Sequence, residues 1–171
     1  MQRIFSMQRE LLATALFAAA GIVGVALSRG ELSAVLANGL FYAGLIVNTY
    51  FSIRFFGSQQ PQDRDERLID GALVVAYVAL ALSIGWVIVF TFVSVILFAG
   101  AVAKYILLLP VLERRDLVWR KIAIDGLGLA FVIACFIGAW AGYPLASVWA
   151  QAVIFNVANA YLLLVRPMYA E

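Results

Sequence analysis

Three ionisable side chains stand inside long apolar runs, where a charge is costly enough to make each a candidate for function: Asp70, Lys104 and Asp125. Each aspartate precedes a glycine. Lys104 lies six residues before Pro110, about 9 Å of helix, deep yet within reach of the interface for an extended lysine. Gathered at one end of a helical bundle, these groups would act in one of two ways. As structural ion pairs, aspartates in the first turns of their helices would meet cations near the last turns, Lys104, Arg54 and Arg166, from neighbouring hairpins. As a polar vestibule, the same groups would take up a small ion or solute.

Amides and phenols extend the set. Asn48, Asn156 and Asn159, with Asn38 and Gln151, must find partners inside the bundle, and Asn156 shares a helix face with Asn159. Tyr50, Tyr105 and Tyr161 recur at one level, which suits an interfacial belt or, if they face inward, a ring of hydroxyls lining a constriction.

Other chemistry is excluded by composition. With no histidine and one cysteine, Cys135, the chain has no His-based triad, zinc cluster, haem His ligand or intrachain disulfide. It contains no phosphate-binding G-x-x-x-x-G-K-[ST] run and no G-x-S-x-G elbow. An aspartate pair is the only catalytic device left, so the expectation is a protein that is not an enzyme and needs no cofactor.

The elements that hold these residues must be membrane helices. Of 171 residues, 65% are hydrophobic and 13% charged, and mean hydropathy is +0.99; a water-soluble fold of this size could not cover its surface. Six apolar stretches approach the ~20 residues a bilayer requires: Leu11–Leu27, Ser33–Phe56, Ile69–Ile84, Val87–Leu109, Ile122–Ala141 and Ala146–Val165. The first is expected to remain as a helix rather than act as a cleaved leader, being long for a signal sequence. Together the six predict an all-α, polytopic membrane protein forming one transmembrane domain over residues 1–171.

The basic residues orient it. With the N-terminus inside, Arg3, Arg9, Arg54, Arg64, Arg67, Lys104, Arg114, Arg115, Arg120, Lys121 and Arg166 lie on the cytoplasmic side and only Arg29 outside. The net charge of +2 is then a topology signal and not a nucleic-acid footprint. Trp86, Trp140 and Trp149 fall near outer ends and Trp119 near an inner one, as an aromatic belt requires. Both termini are expected in the cytoplasm of a bacterial or archaeal cell, with the chain in the plasma (inner) membrane.

A repeat is also legible. The three tyrosines are 55 and 56 residues apart (105 − 50 and 161 − 105), and Asp70-Gly71 recurs 55 residues on as Asp125-Gly126 (125 − 70). This spacing predicts three parallel helical hairpins, approximately 8–57, 67–112 and 119–168, in a pseudo-three-fold bundle. The layout is similar to that of other membrane families built from hairpin repeats. The functional expectation is a transporter or channel-like protein for a small ion or solute with a polar cytoplasmic vestibule. The alternative is a non-transporting module that binds lipid, senses or scaffolds, and anchors a cytoplasmic partner. Membrane lipid and a second copy of the chain are the partners in view.

Overall fold

The computed structural model describes residues 2–56, 64–112 and 114–165, with side chains from Glu10 onward in the first helix and from Glu66 onward in the third. Over these residues the chain is all-helical: α1 (Gln2–Leu27), α2 (Leu32–Phe56), α3 (Arg64–Leu82), α4 (Val87–Leu108), α5 (Arg115–Trp140) and α6 (Pro144–Ala160), the last continued by a π-helical turn, Tyr161–Val165. Helix limits follow local chemistry. Proline opens α6, where its missing N–H and fixed φ fit the first turn, and Pro110 follows the end of α4. α5 stops at Gly142, whose φ of +98° is open to glycine. The Tyr143 amide then bonds the Gly138 carbonyl (3.0 Å) and the Gly142 amide that of Ala139 (3.4 Å), the paired bonds of a Schellman cap.

Five of the six helices contain segments long and apolar enough to cross a membrane: Glu10–Leu27, Leu32–Phe56, Val87–Leu108, Arg115–Trp140 and Pro144–Val165. The third expected span is the exception. α3 opens with Arg64, Asp65, Glu66 and Arg67 and carries Asp70, leaving 71–82 as its apolar part, about 18 Å of helix against about 30 Å of hydrocarbon. It nevertheless reaches the same end of the bundle as its neighbours. A Cβ on Gly30, between α1 and α2, would stand 2.3 Å from the Gly85 carbonyl oxygen, so the two turns touch backbone to backbone. That end, with three short turns, is called the turn end below; the opposite one is the charged end.

Neighbouring helices close a ring in the order α1, α2, α6, α5, α4, α3, with α2, α4 and α6 also meeting across the middle. The junctions between hairpins differ: α1 meets α3, α2 meets α6 and α4 meets α5, whereas a three-fold relation would repeat one junction. Both same-direction junctions depend on small residues, which let backbones approach where lipid supplies no hydrophobic drive. A Cβ on Gly24 would lie 2.0 Å from the Ala81 carbonyl oxygen, and one on Gly44 would lie 2.1 Å from Asn156 Oδ1. Near the α1/α3 contact, Phe17 stacks on Tyr77 at 4.3 Å, and the Tyr42 hydroxyl donates to the Phe17 carbonyl at 3.1 Å.

Gly71 and Gly126, the repeated partners of the aspartates, have no atom within 4 Å of a built Cβ. Gly44→Ala is therefore expected to destabilise the bundle by about 1–3 kcal/mol through overpacking, whereas Gly126→Ala should be neutral or stabilising by up to about 1 kcal/mol through helix propensity. Thermal unfolding of the two variants in one detergent measures the contrast.

Candidate functional site

Asp70 and Lys104 do meet. Lys104 Nζ donates to Asp70 Oδ1 at 2.5 Å, with the lysine side chain 14% and the carboxylate 34% exposed. The pair joins α3 to α4 within one hairpin rather than bridging two hairpins as expected. Asp70 is the seventh residue of α3 and Asp125 the eleventh of α5, because both helices begin earlier than their apolar runs. Neither carboxylate therefore sits among the free N–H groups of a first turn.

Asp125 takes a partner that lies just before the expected span Ile122–Ala141. Lys121, one turn earlier on α5, donates to Asp125 Oδ1 at 2.6 Å, and the two side chains are only 4% and 7% exposed. Lys121 also lies over the Tyr105 ring at 5.5 Å, a cation–π placement. The Tyr105 hydroxyl shares a hydrogen bond of 2.6 Å with Ser52 Oγ, and Phe56 packs edge-on against the ring at 5.2 Å. Leu108, Leu112 and Val118 complete this apolar cluster. Asp125 Oδ2 is buried and has no hydrogen-bond partner.

The remaining candidates separate. Asn159 Nδ2 donates to the Gly44 carbonyl at 2.8 Å, and Asn156 Nδ2 donates to Leu40 (3.2 Å) and Ala152 (2.8 Å), so both join α6 to α2. Asn48 is half-buried and has a partner. The three tyrosines do not share an environment: Tyr105 is buried, Tyr50 is half-buried against Phe51, and Tyr161 is exposed at the start of the π-helical turn. Arg54 is exposed, and Arg166 lies outside the described residues. The site is thus Lys121, Asp125, Tyr105 and Ser52, with Asp70–Lys104 a second pair toward the same end. Lys121 and Ser52 were missed. Their signal was the i,i+4 spacing of Lys121 with Asp125, masked by the assumption that α5 began at Ile122. Glu10 was missed as well; it is buried within α1, which also begins earlier than its apolar run.

Each lysine neutralises a carboxylate, and Asp125 Oδ2 remains as a desolvated acceptor. Among the described residues, no three Cys, Asp or Glu side chains gather to hold a metal ion. Compared with known protein families, curated proteins and solved structures, the chain has no significant match. The structure thus describes an α-helical bundle compatible with a multi-pass membrane protein.

Removing one member of the buried pair leaves an uncompensated charge. Lys121→Met is expected to cost about 3–5 kcal/mol, with much of the loss recovered in Lys121→Met/Asp125→Leu. Lys104→Met, beside a carboxylate one-third exposed, should cost about 1 kcal/mol or less. Denaturation midpoints of the purified variants in detergent test the order.

Proposed function

We propose that this chain is a closed, non-transporting integral membrane module that acts through its lipid-facing sides and its charged end. The observation that carries this reading is the filling of the middle of the bundle. Phe41 of α2 lies 5.8 and 6.4 Å from Phe90 and Phe98 of α4 and 4.7 Å from Phe155 of α6, and Phe98 and Phe155 are 6.0 Å apart. Aromatic rings thus occupy the place where the three even helices meet, and a conduit along that line would have to displace them. The ion pairs support the same reading, since their charges are engaged with each other.

On this reading the charged end faces the cytoplasm, by the eleven-to-one bias in basic residues, and the bilayer is a bacterial or archaeal plasma membrane. Arg114, Arg115, Arg120 and Trp119 are exposed around the start of α5 and form a surface for anionic headgroups or an acidic partner. Buried Lys121 drops out of that set. The chain catalyses no reaction and uses no cofactor or nucleic acid, and a second copy is a candidate neighbour. The 55- and 56-residue spacing of the tyrosines and the 55-residue spacing of the Asp-Gly pairs support descent of the hairpins from one unit.

A second reading, a transporter or channel for a small ion or solute with a vestibule at the charged end, is favoured by one observation: Asp125 Oδ2 is buried without a partner. Flux separates the two. Vesicles containing the protein are expected to pass protons and monovalent ions no faster than empty vesicles; a flux that falls in Asp70→Asn or Lys104→Ala would overturn the module reading in favour of the second. For the headgroup surface, native mass spectrometry should find anionic lipid retained on the wild type and lost from Arg114→Ala/Arg115→Ala/Arg120→Ala, while equal retention removes that surface.

A further inference from the structure

The even helices carry a second polar cluster that the charged end does not use. Asn38, Ser94 and Gln151 are the seventh, eighth and eighth residues of α2, α4 and α6, all of which begin at the turn end, so all three lie within about three helical turns of that end. All three are fully buried. The register of α2 on α6 agrees. Trp149 Nε1 bonds Ser33 Oγ and Asn156 Nδ2 bonds the Leu40 carbonyl, both across 116 residues of sequence, which brings Gln151 level with position 35, within one helical turn of Asn38.

The hydrogen-bond directions are determined by the partners. Asn38 Nδ2 donates to the Ile84 carbonyl at 2.8 Å; turning the amide over would set oxygen against oxygen. The Ser94 hydroxyl gives its hydrogen to the Phe90 carbonyl at 2.9 Å, so it must accept from Gln151 Nε2, also at 2.9 Å. Both amides therefore present their oxygens elsewhere, and Asn38 Oδ1 and Gln151 Oε1 are buried without partners. Two acceptors inside hydrocarbon, with no bulk water to satisfy them, call for a donor.

We infer that Asn38, Ser94 and Gln151 form an internal binding site for a small uncharged hydrogen-bond donor, water, held at the two free amide oxygens. The ligand set is neutral, two amide oxygens, so a desolvated cation would find no counter-charge in it, whereas an internal water needs two to four polar partners. Ala37, Phe41, Phe90, Val148 and Ala152 of the same three helices are also buried. Phe41 lies one turn further along α2 than Asn38, so the site belongs to the turn-end half of the bundle. The inference holds whether or not the bundle conducts.

Water-edited solid-state NMR of the wild-type protein in lipid bilayers tests it. Magnetisation from water is expected to reach the side-chain carbonyl carbons of Asn38 and Gln151 several-fold faster than the methyl carbons of Leu80, which is fully buried in the apolar core. Transfer no faster than at Leu80 overturns the site. Shifts of these two carbonyl carbons on titration with ammonium, without rapid transfer from water, overturn the assignment of its occupant.

Discussion

Inside hydrocarbon a polar group has no water to fall back on, and the arrangement of this bundle follows from that constraint. The amides of α6 illustrate it: Asn159 reaches across to the Gly44 carbonyl, and Asn156 divides its amide between the Leu40 carbonyl across the junction and that of Ala152 in its own helix. For Asn156 to lie against α2, position 44 must lack a side chain, since its Cβ would overlap the amide. One glycine and two asparagines thereby set the parallel register of α2 and α6, and from that register follows the position of every other residue facing that junction.

The same constraint divides the interior into layers. Where the even helices meet, apolar contact suffices, and Phe41, Phe90, Phe98 and Phe155 fill the space on either side of Ser94 with tilted and edge-on ring contacts that aromatic quadrupoles favour. Toward the charged end two lysines are each paired with an aspartate, and the more deeply buried lysine adds the face of Tyr105 to its carboxylate partner. Such pairs are weak evidence for stability as such, because desolvation offsets much of their attraction. They do hold register: Lys104–Asp70 ties α3 to α4, while Lys121–Asp125 stiffens one turn of α5 where it packs on α4.

Much of the fold was legible from hydropathy, because helix length in a bilayer is set by its thickness and helix ends by proline, glycine and charge. The less legible parts had a common cause. Apolar runs mark where lipid is, not where a helix begins, so α1, α3 and α5 each extend further toward the charged end than their apolar runs. The early start of α5 put Lys121 on the helix, one turn from Asp125. Of the candidate residues, Asp70, Lys104 and Asp125 carry ion pairs at one end as their positions implied, but their partners could not be assigned without knowing which helices are neighbours. The tyrosine spacing was regular in the sequence, yet Tyr105 is buried and Tyr161 exposed, since unequal junctions turn regularly spaced residues toward different surroundings.

What the sequence by itself determined is the helical class, the chain's affinity for a bilayer and the placement of charge at helix ends, because each depends on composition along a single helix. Tertiary structure alone decided the ring order, the pairing of each lysine with its carboxylate, and the isolation of Asn38 and Gln151 with one oxygen apiece unmet. Those outcomes depend on which helix faces lie within a few ångströms of each other, and in a medium with no hydrophobic preference between lipid and protein that choice depends on steric fit and a few polar contacts, which hydropathy does not encode.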